Sequence, residues 1–73
     1  MGKNQHVLPH KNGWQVKGAG NSKATVVTKT QAESIKVANL IAEVNKSEVF
    51  IHGVNGEIRD KRSYGKDPRE ISG

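Results

Sequence analysis

Apolar and polar positions alternate through the first third of the chain, then switch to helical spacing, then return to short apolar runs. Gln5 to His10 reads as a short strand, and Pro9, which cannot donate to a ladder, puts it at an edge or ends it there. Asn12-Gly13 follows as a two-residue hairpin signal, because both residue types tolerate positive φ. Trp14 to Lys17 alternates with period two, so Trp14 and Val16 are expected on a core face and Gln15 and Lys17 outside. Gly18 to Ser22 reads as a flexible turn, and the β-branched run Ala24 to Thr28 as a third strand. Thr30-Gln31-Ala32-Glu33 is a capping box in which the Thr30 hydroxyl and the Glu33 carboxylate accept each other's N–H. It opens a helix to about Asn45, with Ile35, Ala38, Ile41 and Ala42 as its apolar stripe and Val37, Leu40 and Val44 beside it. Lys46 near its end complements the helix dipole. Val49-Phe50-Ile51 is a continuous apolar run, as expected of a central strand covered on both faces. A second Asn-Gly turn at Asn55-Gly56 leads into a fifth strand from Glu57 to Lys61.

The order β-β-β-α-β-β predicts an α+β domain with a largely antiparallel sheet packed against one helix. Residues 1–73 make one small domain, with 66–73 read as a flexible tail and Tyr64 as the place where the tail docks. The candidate core is Val7, Trp14, Val16, Val26, Ile35, Ala38, Ile41, Val49, Ile51 and Ile58. That suffices for one sheet on one helix but not for a deep substrate cavity as well. Such a margin fits a monomer of modest stability or an oligomer that adds buried area, and the oligomeric state stays open.

Two segments of this chain resemble a known family. His6-Val7, Pro9, Gly13-Trp14 and Val16-Lys17 resemble its opening, and His52-Gly53, Gly56, Ile58, Ser63-Tyr64-Gly65 and Asp67-Pro68 its close. The family is the bacterial and phage domain of unknown function 2188. The capped, alanine-rich helix from Thr30 to Val44 has the same character, and the resemblance spans residues 6–68. It departs at Lys11-Asn12, where Asp and Pro are more usual. The resemblance implies a single complete domain in a bacterial or phage cytoplasm. It implies no catalytic residues.

Charge changes the picture. The net charge is +5, and residues 1–30 hold Lys3, Lys11, Lys17, Lys23 and Lys29 without one acid. The remaining 43 residues carry seven basic and seven acidic side chains. A positive field confined to one end points to an anionic partner, of which nucleic acid is the commonest. Lys11, Lys17, Lys23 and Lys29 recur every six residues and would line one surface if the three strands form a meander. They are the candidate phosphate contacts, with Arg59 and Arg62 in support. The basic half has no Arg, which argues against base-specific reading. The same lysines also serve plain solubility at sheet edges. Phe50 has the opposite phase to Val49 and Ile51, so Phe50 and His52 form a second candidate surface. A protein-interaction or regulatory module docking there, or through a sheet edge, is the alternative function.

Other chemistry is thinly represented. There is no cysteine, so disulfides and thiolate metal sites are excluded. His6, His10 and His52 invite a metal, but hydrogen-bonded histidines at strand ends are the simpler expectation. Gly18-Ala19-Gly20-Asn21-Ser22-Lys23 lacks phosphate-loop spacing and leads into a strand, so it reads as a turn. No nucleophile triad or paired carboxylates stand at telling spacings. The expectation is a non-enzymatic cytoplasmic protein with no cofactor and no membrane partner.

Overall fold

The computed structural model describes residues 3–65. The tail assigned to 66–73 lies outside the described residues. The elements run β1 (Gln5–His10), β2 (Gly13–Gly18), β3 (Val26–Thr28), α1 (Gln31–Asn45), β4 (Glu48–His52) and β5 (Ile58–Ser63). This is the expected β-β-β-α-β-β order, in one five-stranded sheet ordered β3-β2-β1-β4-β5. Three pairings are antiparallel, and β1 pairs with β4 in parallel. Among the described residues no helix is long and apolar enough to cross a membrane.

β1 is therefore the middle strand of the sheet, not an edge. Pro9 is tolerated there because the parallel pairing with β4 covers only Gln5, His6 and Val7. Beyond Val7 no partner strand requires the N–H that proline lacks. The first hairpin also differs from expectation by one residue. Its loop is Lys11-Asn12, and Gly13 is already paired with His10. Gly13 supplies the positive φ, 137°, while Lys11 and Asn12 keep negative values. A Cβ at Gly13 would overlap the Thr28 carbonyl oxygen, so the end of β3 can lie against β2 only across a glycine.

The helix begins with the predicted cap. Thr30 Oγ1 accepts the Glu33 N–H at 3.2 Å. The reciprocal arm lands one residue earlier than predicted: Glu33 Oε1 accepts the Lys29 N–H, also at 3.2 Å. At the other end Lys46 is the C-cap in the left-handed region, φ 57°. The face turned to the sheet is made of small side chains, Ser34, Ala38 and Ala42, all buried. Ser34 is satisfied within the core. Thr28 Oγ1 gives its hydrogen to the Thr30 carbonyl at 2.7 Å, so Ser34 donates to Thr28 across 2.6 Å.

Val7, Val16, Val49 and Ile51 meet this face from three adjacent strands. Each buried side chain of this kind is worth about 1.5–3 kcal/mol. Trp14, Val26, Ile35, Val37, Ile41 and Tyr64 close the rim of the core. Tyr64 is anchored by its N–H to the Ser47 carbonyl at 3.0 Å. Ile58 is no part of the core and stays 56% exposed. The β4–β5 ladder is irregular at Ile51/His52, which pairs Ile58 with His52 on the face away from the helix.

Two substitutions test this account. Gly13→Ala should lower the unfolding free energy by more than about 1 kcal/mol, because it adds strain and overlap together. Thr30→Ala should cost about 1 kcal/mol, as loss of an N-cap does. Urea unfolding followed by circular dichroism measures both; an unchanged Gly13→Ala midpoint would refute the close β2–β3 approach.

Candidate functional site

The helix covers one face of the sheet. Among the described residues no element covers the other, so β4, expected to be covered on both faces, is covered on one, with Val49 and Ile51 buried and Phe50 only half-buried. Alternation along each strand decides what that open face carries. Val7 and Ile51 point to the helix, so His6, Leu8, Phe50 and His52 are open-face positions. The pairings His6↔Lys17, His6↔Phe50 and Phe50↔Lys61 then place Lys17, His6, Phe50 and Lys61 in one row across β2, β1, β4 and β5. Gln15 and Val27 continue the face toward β3, and Ile58 toward the β4–β5 turn.

The row is in direct contact at its centre. The His6 and Phe50 rings stack with centroids 5.1 Å apart and planes 23° from parallel. Lys61 Nζ lies 6.0 Å from the Phe50 centroid, at the outer limit for a cation–π contact. His6 Nδ1 is 3.0 Å from His52 Nε2, and His52 Nδ1 is 2.8 Å from the Gly56 carbonyl oxygen. A carbonyl only accepts, so His52 Nδ1 carries a hydrogen. In the neutral pair His52 Nε2 is then the acceptor, and His6 Nδ1 donates to it. His6 Nε2 is the ring nitrogen left with a free lone pair. A fully protonated pair would put two N–H groups against each other at 3.0 Å, so this hydrogen bond is compatible with one extra proton on the pair and not with two. Burial first, and the neighbouring His52 charge second, hold the His6 imidazole below the usual histidine range.

Beside the row lies an open cleft of about 240 Å³, lined by His6, Leu8, Lys17 and the turn residues Gly18 to Asn21. The turn is tied down from outside. Ala19 N–H donates to the Asn4 carbonyl at 2.8 Å, and Lys3 Nζ donates to Asn21 Oδ1 at 2.6 Å.

The four predicted lysines do not share one face. β1, β2 and β3 do form a meander, but only Lys17 lies within a strand. Lys11 sits in the β1–β2 turn and Lys29 after β3, at one end of β2, while Lys23 is in the β2–β3 loop at the other end. A six-residue spacing keeps one phase only along continuous strand, and loops interrupt it three times. Arg59 and Arg62 lie on β5, at the opposite edge of the sheet from β3. Arg62 takes the phase of Val49, away from the open face, and pairs with Asp60 at 3.6 Å. Phe50, His52 and Lys17 do share the open face. His6, read from the sequence only as a hydrogen-bonded histidine at a strand end, and Lys61, which did not stand out, join them. His6 shows its phase by following Gln5 and preceding Val7, but its partner Phe50 is 44 residues away. His10 stands apart, accepting the Asn12 N–H on Nδ1 at 3.0 Å. No group of three or more His, Asp or Glu side chains among the described residues is placed to hold a metal ion.

A family model described as an uncharacterized protein conserved in bacteria matches residues 5–64. The chain belongs to the DUF2188 family. This DUF2188 chain is similar to the uncharacterized protein YdaT of Bacillus subtilis (strain 168), with 35% identity over 65 residues. The match covers 89% of this chain and 43% of that protein, so the chain spans less than half of the relative's length. No solved structure matches it. Both central residues of the row, His6 and Phe50, fall within the family-matched segment.

The histidine pair makes the stability of this DUF2188 domain depend on pH with a definite sign. An unfolded histidine titrates near pH 6.5, and the folded His6 binds its proton less readily. The unfolded state therefore binds more protons between the two values. The contribution is fully present above about pH 6.5 and is lost as pH falls through the folded His6 value. Urea midpoints should fall over that window, and His6→Phe should flatten the fall relative to the native chain. An identical pH profile in the variant would show that His6 is not the responsible group.

Proposed function

We propose that this chain is a small non-enzymatic module of the bacterial cytoplasm. In this reading it holds single-stranded nucleic acid on its open sheet face without sequence specificity. The observation that carries the reading is the Lys17–His6–Phe50–Lys61 row. It puts a stacked pair of rings at the centre of an uncovered sheet and one ammonium group on either side. Bases present a π-face whatever their identity, so an aromatic platform on a sheet takes them without reading sequence. Flanking ammonium groups take the phosphates that follow each base. Duplex DNA offers no exposed base face, which is why the reading is confined to single strands. Lys11, Lys23 and Lys29 surround the β2–β3 half of the sheet and add long-range attraction, not direct contacts on the platform.

The test is anisotropy titration of a labelled oligothymidylate and its RNA counterpart, each about twelve nucleotides long. Binding should weaken with added salt, with a log–log slope of about −1.4 for two phosphate contacts on a single strand. Phe50→Ala should lower affinity roughly 5- to 160-fold, the worth of about 1–3 kcal/mol of base stacking. Lys17→Met and Lys61→Met should each make the salt slope shallower. Absence of saturable binding at low salt, or binding indifferent to Phe50→Ala, would overturn the reading. Such a result would move the search to a protein partner on the same face, whose apolar members are Leu8, Val27, Phe50 and Ile58.

A further inference from the structure

The cleft beside the row has the composition of an anion site. Lys17 and His6 are cross-strand neighbours on its wall, and the rest of the wall is a tight turn of small residues, Gly18, Ala19 and Gly20, with Asn21. Gly20 has φ 81°, and a Cβ there would meet open space, so the backbone stands clear of side chains at this point. Among the described residues the Gly20 N–H makes no backbone hydrogen bond. His6 belongs to both the cleft and the stacked row. β2, β1 and β4 are consecutive strands spaced about 4.8 Å apart, so Lys17 and Phe50 stand about 10 Å apart across His6. One nucleotide spans a comparable distance from its phosphate to the far edge of its base.

We propose that this cleft is a phosphate subsite, and that filling it places one proton on the His6–His52 pair. The naming of the ligand as a nucleotide phosphate rests on the open-face reading; the anion site itself does not. The argument is one of hydrogen-bond inventory. With His52 Nδ1 committed to Gly56 and His6 Nδ1 committed to His52, the neutral pair leaves His6 Nε2 as a bare acceptor. A phosphate oxygen is also an acceptor and gains nothing from it. One added proton turns His6 Nε2 into a donor and leaves the His6–His52 bond as it was. The surroundings disfavour that added proton in the free site. Lys17 from β2 and Lys61 from β5 are the charged groups nearest the pair along the row, and Lys3 lies beyond the turn. The β4–β5 turn behind His52 carries Glu57, and Arg59 follows it near the start of β5, so one charge of each sign stands on that side. Glu48 of β4 is the acid on the open face, and it accepts a hydrogen bond from Ser63 at 3.3 Å, away from His52. From the helix side no titratable group reaches the pair, because the sheet lies between. A phosphate therefore supplies the counter-charge that the site lacks.

Sulfate is the probe, since it stays doubly charged across the histidine range and its own titration does not enter. In nitrogen-15 NMR of the intact chain, sulfate should produce saturable shifts at the amides of Lys17, Ala19, Gly20 and Asn21. Binding should be about tenfold tighter near pH 5.5 than near pH 7.5. By linkage, saturating sulfate should raise the His6 titration midpoint by about one unit. Lys17→Met should abolish the localised shifts. The imidazole titration uses the native chain, so it stands even if a variant fails to fold. Shifts spread evenly over exposed lysines, or equal affinity at both pH values, would overturn the proposal. If oligothymidylate binds through Phe50 while sulfate does neither, the open-face function stands and the subsite falls. If sulfate binds with proton uptake and no oligonucleotide binds, the anion site stands and the nucleic-acid reading falls.

Discussion

The parallel pairing of β1 with β4 organises the molecule. An antiparallel neighbour needs only a short turn, but a parallel one needs the chain to cross from one end of the sheet to the other. Here β2, β3 and the helix fill that crossing, so the helix lies across the strands it connects. Three consequences follow from this one contact. β1 becomes the centre of the sheet, Val7 meets Ile51 in the core, and on the opposite face His6 meets Phe50. The core and the candidate site are two sides of the same three-residue ladder.

A single helix can cover only one side of such a sheet. The helix approaches closely because it presents Ser34, Ala38 and Ala42, and larger Ile35, Val37 and Ile41 wrap the margins. With so few large buried side chains, the domain has little stability to spare. The open face has to remain compatible with water, and it does so by alternating rings and aliphatic groups with lysines and histidines. A platform of that kind is wet in isolation and apolar enough to receive a flat ring, which is how the proposed function and the marginal core come from one architecture. The same economy explains the histidine pair. Two imidazoles joined in series to the Gly56 carbonyl satisfy each other's hydrogen bonds at a half-buried position, and leave one nitrogen for a ligand.

Much of this was legible along the chain. The order of elements, the N-cap at Thr30, the inward phase of Val16 and the outward phase of Lys17 and Phe50 all follow from local periodicity and turn chemistry. Where the reading went astray, the cause was a contact distant in sequence. Asn12-Gly13 was expected to form the hairpin loop, but Gly13 pairs with His10 inside β2, where its missing side chain leaves room for the Thr28 carbonyl, and the loop is Lys11-Asn12. Pro9 pointed to an edge strand or to a strand that ends there; β1 is central, but it stops one residue later at His10 and its β4 pairing stops at Val7. Ile58 looked like core, but the irregular β4–β5 register turned it outward. The lysines looked like one stripe because a count of residues does not register where strands stop.

What the sequence alone determined is the set of elements, the side of each strand that seeks the core, and the concentration of positive charge in the first thirty residues. These depend on neighbours within a few residues, where backbone geometry and side-chain period leave little choice. Only the tertiary structure decided which strands lie side by side, and with that which outward residues meet. His6 and Phe50 can each be singled out in the sequence, but nothing there pairs one with the other. They become a stacked pair between two lysines because a parallel register, set by burial of Val7 against Ile51 on the other face, carries their rings together.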